Sequence, residues 1–342
     1  MMMRLVLAAS CSALALPGLI PMSVTASAST VAPRAVAALP TVTVGRNAWV
    51  AVSVATLWRT SRSARAVDRP ALTNPASIRQ WLSRLTLTDR RGLNGRADTQ
   101  ALLGDRVIVV ARSGSWVKVV VPDQPTPLNA RGYPGWVPTV QLTAIRPVVS
   151  TWVATVVART TYLRTDNAVA TPVTEISFGT RLPRVGATGR WARVVTPTGQ
   201  VRRVYTSAVT VRAPGASALP VTGSDVVRAA QMFGGLPYLW AGRSGFGFDC
   251  SGLTSPDYRA HGVIIPRDAD VQARRGTAVP GRTLHPGDLL FYATRGHVHH
   301  VSIYAGNGRM VLAPKTGSTV QTIAVSTPSY AREFAGARRY IR

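Results

Sequence analysis

The sequence predicts a multidomain chain of two small all-β barrels followed by one compact α+β domain. An internal echo predicts the barrels. "WVAVSVATLWRT" (49–60) resembles "WVATVVARTTYLRT" (152–165), and "GSWVKVVVPD" (114–123) resembles "GRWARVVTPT" (189–198). Trp, Val and Thr in period-two alternation, punctuated by Gly and Pro, read as short strands and turns. The boundary of the third domain is marked by "RAPGASALPVTGS" (212–224), a Pro/Gly/Ser/Ala stretch. Beyond it a helix pattern gives way to strand patterns.

The elements follow in chain order. Met1–Met3 and Arg4 precede an apolar run from Leu5 to Ile20, and Ala26-Ser27-Ala28 offers a small-x-small cleavage site. Residues 1–28 therefore read as a secretory signal peptide. A membrane anchor is disfavoured because the run is short and Pro17 interrupts it. A lipid-bearing Cys11 is the lesser alternative, since few apolar residues precede it. Residues 29–45 read as a linker. The first barrel is expected over 46–146, with extra chain around 61–103. There Ile78, Trp81, Leu82 and Leu85 have helical spacing. "GYPGWVP" (132–138) closes this barrel, with Trp136 on its last strand. The second barrel is expected over 150–211, a linker over 212–223, and the α+β domain over 224–342. The two repeats resemble the bacterial SH3-like modules attached to many wall enzymes. The second departs from the pattern, because "GQVRRVYTS" lacks the Gly-Trp ending.

A chain of 342 residues has room for two or three domains, and 46% hydrophobic residues can build their cores. The net charge is +26, and all the basic residues except Lys118 and Lys315 are arginines. They form no compact block and no aromatic ladder, which argues against nucleic acid as a partner. Anionic wall polymers and phospholipid headgroups fit such a charge. A solvated basic surface with no partner fits it equally.

After signal cleavage the one remaining cysteine is Cys250, in "GFGFDCSGLTSPDY". A leftover thiol in an exported chain is a reactive group, an intermolecular link or a small buried hydrophobe. Asp249 is a good N-cap, which makes Cys250 the first helical residue. Free N–H groups and the helix dipole would lower the thiol pKa there and favour thiolate. The same N–H groups could steady an oxyanion. Pro256 should kink the helix or shorten its first turn. "RGHVHHVSIYAGNGRM" offers three bases, His297, His299 and His300. Neighbours on a strand face opposite ways, so only one of His299 and His300 joins a core-side site. His300, directly before "VSIY", is the expected base; His297 and His299 are expected on the loop or solvent side. His-x-His-His lacks a nearby carboxylate or second cysteine, so no metal is expected. His261 is expected as a helix-terminal charge and His285 as a turn residue.

The motifs "GLPYLWAG", "FDCSGL", "IPRDADVQ", "LHPGDLLFY", "HVSIYAGNGRM" and "APKTG" occur in an order and spacing that resemble the NlpC-type cell-wall cysteine peptidases. The resemblance covers 224–342. It implies a papain-like α+β fold and a secreted, cofactor-free endopeptidase of peptidoglycan stem peptides. It implies Cys250 as nucleophile and His300 as general base. Tyr238, Asp249 and Ser251 would line the pocket for the free amino end of the peptide. The bond usually cut in this family joins γ-D-glutamate to a diamino acid, commonly meso-diaminopimelate. One departure stands out. The third catalytic position, usually polar, is Leu312, which cannot hydrogen-bond the far nitrogen of His300. A catalytically impaired wall-binding protein and an amidase on the same scaffold are the alternatives. Ala241, where the family often has glycine, is expected only to tighten packing near Trp240. Ala269 removes a pocket serine seen in some members.

Overall fold

The computed structural model describes residues 40–280 and 283–341. The expected signal peptide and most of the first linker lie outside these residues. Between Asn47 and Thr143 run seven strands: β1 Asn47–Val50, β2 Val54–Trp58, β3 Ala97–Leu102, β4 Arg106–Ser113, β5 Trp116–Val121, β6 Tyr133–Pro138 and β7 Leu142–Thr143. Seven more follow: β8 Val153–Val156, β9 Thr160–Thr165, β10 Pro172–Ser177, β11 Arg181–Thr188, β12 Trp191–Val195, β13 Val201–Tyr205 and β14 Val209–Arg212. The first sheet has the order β3-β2-β6-β5-β4-β1-β7 and the second β10-β9-β13-β12-β11-β8-β14. Each strand thus has a counterpart at the same place in the other sheet. These are two SH3-like units built on one plan.

The echoed Gly-x-Trp has a local cause. Gly114 and Gly189 turn the β4–β5 and β11–β12 hairpins at φ of +56° and +54°, which glycine adopts without strain. Trp136 lies on β6 as expected, but β6 is not the last strand; the short β7 follows and pairs with β1. In the second unit Arg202 and Arg203 stand where the first has Gly135 and Trp136, and Tyr205 at the strand end stacks on Trp191 at 4.2 Å between centroids.

The extra chain in the first unit carries the expected helix, α1 Ile78–Arg84, and a second, α2 Leu87–Arg91. The insertion ends earlier than expected, because 97–102 is barrel strand β3. Ile78, Trp81 and Leu85 are buried in a cluster that also takes Leu239, Ala241 and Phe246 from the third domain. The insertion is therefore the seal between the two. The described end of the first expected linker and the second expected linker are also docked. Arg112 donates to the Val42 carbonyl at 2.6 Å, and the Ala218 and Leu219 amides donate to the Ala260 carbonyl at 2.8 and 2.9 Å.

The third domain opens with α3 Gly223–Gln231, capped by Thr222. A small hairpin, β15 Arg243–Ser244 and β16 Gly247–Phe248, leads into α4 Cys250–Ala260. Pro256 lies within α4, and the helix continues past it. After α5 Ala269–Gln272 come β17 Thr277–Ala278, β18 Leu289–Thr294, β19 His297–Gly306, β20 Arg309–Leu312, β21 Gln321–Ala324, α6 Pro328–Glu333 and β22 Phe334–Arg339. The sheet order is β17-β22-β18-β19-β20-β21. One face, with Leu289, Phe291, Val301 and Ile303, packs against Val226, Ala230 and Leu253 of α3 and α4. The other buries Leu290, Tyr292, Met310 and Leu312, with Tyr330 of α6 against them. Alternation along the strands sorts these residues.

Candidate active site

The Asp249 carboxylate caps α4, accepting from the Gly252 amide at 2.6 Å. Gly252 is needed here: a β-carbon would come within 1.9 Å of the Gly242 carbonyl oxygen. The buried Arg267 holds the cap from the other side. Its guanidinium donates to the two Asp249 oxygens at 3.0 and 2.6 Å, to Ser251 Oγ at 2.9 Å and to Thr99 Oγ1 at 2.8 Å. Thr99 is on β3, so the first barrel is tied directly to the helix start. Arg267 lies in "IPRDADVQ", where the sequence assigned it no role. No local pattern reveals that the fold returns it to Asp249.

Cys250 is buried, and burial pushes its thiol up to about 12, with the adjacent Asp249 carboxylate adding to the rise. The backbone N–H groups of Ser251 and Val301 act the other way and are outweighed. The expectation of a resting thiolate is thus corrected. A helix terminus contributes about 0.3–1 kcal/mol to a nearby anion. Burying that anion beside a carboxylate costs several times more. Burial therefore favours the neutral thiol.

The β18–β19 hairpin turns at Arg295 and Gly296, both at positive φ (51° and 78°). This is the two-residue turn that suits strand twist. Beyond it His299 is exposed and His300 is buried, as alternation predicts. Burial pulls the His300 imidazole down to about 4, with His299 adding to the fall. His300 is therefore neutral at pH 7. Its ring packs against Tyr292 and Tyr330, with centroids 5.7 and 5.6 Å away, and the two tyrosines pack on each other at 5.1 Å. Its Nε2 is buried without a hydrogen-bond partner. Met310 pairs with Tyr304 across the strands, which puts Leu312 on the face of β19 that carries His300. Leu312 is fully buried among apolar neighbours and offers that nitrogen nothing.

Cys250 and His300 open onto one cleft of about 410 Å³. Tyr238, Asp249 and Ser251 line it, as do Arg267, Asp268 and Ala269. Arg59, Asp98 and Tyr133 also line it, and these belong to the first barrel. Tyr133 donates to Asp268 Oδ1 at 3.3 Å, and Arg59 pairs with Asp98 at 2.6 Å. The sequence did not single out these barrel residues, since nothing in their spacing connects them to Cys250. Ala269 presents only a methyl group to the cleft.

This geometry agrees with comparisons to known proteins. Residues 235–339 match the NlpC/P60 family, and residues 156–211 match the YKFC SH3b2 domain. A gamma-D-glutamyl-L-lysine dipeptidyl-peptidase of Bacillus cereus is 41% identical, over 86% of this chain and 91% of that protein. The chain belongs to the NlpC/P60 family. A Bacillus subtilis gamma-D-glutamyl-L-lysine dipeptidyl-peptidase is 37% identical, over 84% of this chain and 96% of its own. The crystal structure of an NlpC/P60 family protein from Bacillus cereus superposes with a TM-score of 0.83 at 40% identity. It covers 87% of this chain and all of that one. As an NlpC/P60 protein the chain is a cysteine peptidase, with two SH3b-like regions ahead of the peptidase domain.

Other sequence expectations meet the structure unevenly. His297 and His299 are exposed at the mouth of the cleft, where His299 lies 3.4 Å from Glu333. His285 is an exposed turn residue whose amide donates to Asp288 at 2.8 Å. His261 is at the end of α4 as expected, as its C-cap, and is fully buried there, with Nδ1 against the Pro220 carbonyl and Nε2 3.4 Å from Asp257. Ala241 is a correction. Its φ is +63°, so the missing glycine costs about 1 kcal/mol of backbone strain and is not a matter of packing alone.

Proposed function

We propose that the chain hydrolyses peptidoglycan stem peptides at the bond between γ-D-glutamate and a diamino acid, reading the peptide from its free amino end. Cys250 is the nucleophile and His300 the base. The enclosed Nε2 leaves Nδ1 of His300 to take the thiol proton as sulfur bonds to the carbonyl carbon. His300 then returns that proton to the leaving amine as the C–N bond breaks. Water hydrolyses the thioester and frees the enzyme. Two neutral groups suffice for this, because proton transfer accompanies attack.

The observation that carries the reading is the wall of the cleft. Asp98 and Tyr133 of the first barrel stand with Asp268 and Tyr238 along the space in front of Cys250. Carboxylates there suit an α-ammonium group, and the barrel supplies part of the wall around it. That favours release of a dipeptide, in keeping with the names of the Bacillus relatives. With Leu312 silent, the Tyr292–Tyr330 pair is proposed to hold the His300 ring in place by packing.

The basic-apolar-small opening of the chain supports work outside the cell, at the wall. The excess of arginine supports adhesion to anionic wall polymers. Mass spectrometry of products from stem peptides with a free or an acetylated amino end tests the central reading. Lysine and meso-diaminopimelate versions should both be offered. Cleavage of the free form, lost in Cys250→Ala and on acetylation, is expected. Cleavage that survives Cys250→Ala would refute the nucleophile. Intact peptides with a folded, wall-bound protein would favour the impaired-site alternative, which the unpartnered Nε2 motivates.

A further inference from the structure

A cavity of about 130 Å³ lies where the two barrels, the peptidase domain and the 213–219 strap meet. It lies outside the cleft that contains Cys250. Three guanidinium groups line it: Arg181 from β11, Arg243 from β15 and Arg259 from α4. Guanidinium stays charged in proteins, and burying it without a counter-ion is costly. Arg259 is ion-paired through both Nη groups, because Asp105 is 3.3 Å away and Asp123 is in contact on its other nitrogen.

Arg243 and Arg181 are not satisfied. Arg243 is 2% exposed, and its one side-chain hydrogen bond is a 3.4 Å contact from Nε to Ser255 Oγ. Among the described residues no carboxylate pairs with it. The residue lines the cavity. Arg181 has neither an ion pair nor a side-chain hydrogen bond among the described residues. Thr155 lines the same space. Three arginines against two aspartates leave one positive charge in excess. Burial pulls Arg243 down to about 9, with Arg259 adding to the fall, as expected of a cation lacking its counter-ion.

We propose that this cavity is a binding site for a phosphate group, held by the guanidinium forks of Arg243 and Arg181. Paired planar forks match the oxygens of a tetrahedral oxyanion. The space holds several water-sized volumes, enough for one such ion and too little for a sugar chain. Because its walls come from all three domains, the bound ion acts as an interdomain clamp and stabilises their assembly by mass action. The source is free phosphate or a phosphate carried by a wall polymer.

The test uses the full chain, titrated with inorganic phosphate at ionic strength held constant with chloride. Binding is read by calorimetry and by thermal unfolding. A saturable single site that raises Tm is expected, weakened tenfold or more by Arg243→Met and by Arg181→Gln. Arg212→Gln, which removes an exposed arginine outside the cavity, should leave it unchanged. If Arg243→Met does not fold, Arg181→Gln decides. Absence of saturable binding, or an equal response in Arg181→Gln, would overturn the proposal and leave a water-filled cavity. A glycerol phosphate oligomer as second probe separates the sources. Competition with inorganic phosphate assigns the site to polymer-borne phosphate as well, and its failure assigns it to the free ion.

Discussion

At the scale of single residues, the site runs on groups whose charge states depend on burial. His300 titrates near 4 in the folded chain against an ordinary value of 6.5. Between these values the unfolded chain binds the proton and the folded one does not. This residue therefore withdraws stability as pH falls from about 6.5 toward about 4. NMR titration of the His300 ring in the Cys250→Ala protein should give a midpoint near 4. A midpoint near 6.5 would mean that the ring is solvated and that the neutral-pair mechanism lacks its basis. Cys250 and Asp249 were legible from sequence because a cap and the residue after it are neighbours. The thiol's protonation was not, because desolvation sums over every element packed around it.

At the scale of elements, α6 and β20 decide how His300 is held. Leu312 on β20 removes the usual polar partner, while Tyr330 on α6 brings a ring against the imidazole. Replacing Tyr330 with alanine should lower kcat about tenfold or more with little change in KM, since the role proposed for the ring is to position His300 and not to bind the peptide. Tyr330→Phe should retain activity, because the face and not the hydroxyl does the packing. Loss of activity in both would assign the role to the phenol. Leu312→His should raise kcat if Nε2 gains a partner. The sequence exposed Leu312 through its place before "AP". It could not expose Tyr330, which lies 30 residues beyond His300 and touches it only because α6 folds back over the sheet.

At the scale of the whole molecule, the first barrel is part of the enzyme. Arg267 joins Asp249 to Thr99, Trp240 Nε1 donates to the Ala97 carbonyl at 2.9 Å, and Arg79 of the insertion pairs with Glu175 of the second barrel at 2.6 Å. The net charge of +26 belongs to this scale too. Adhesion to isolated wall should weaken as salt rises from about 0.05 to about 0.5 M, because exposed charges are screened over a few ångströms at the upper end. Pull-down with Cys250→Ala measures this without digestion. Adhesion indifferent to salt would point to recognition of a specific ligand.

The amino-acid sequence by itself determined the two repeated barrels, the capped helix that begins at Cys250 and the strand that buries His300. Each rests on periodicity, turn chemistry or a hydrogen bond between near neighbours, which a short window of sequence contains. Only the tertiary structure decided that Asp98 and Tyr133 wall the cleft, that Arg267 grips Asp249, that His261 is buried, and that Arg181 and Arg243 share a cavity. Those contacts join distant segments, and burial and electrostatics act through space without regard to chain order.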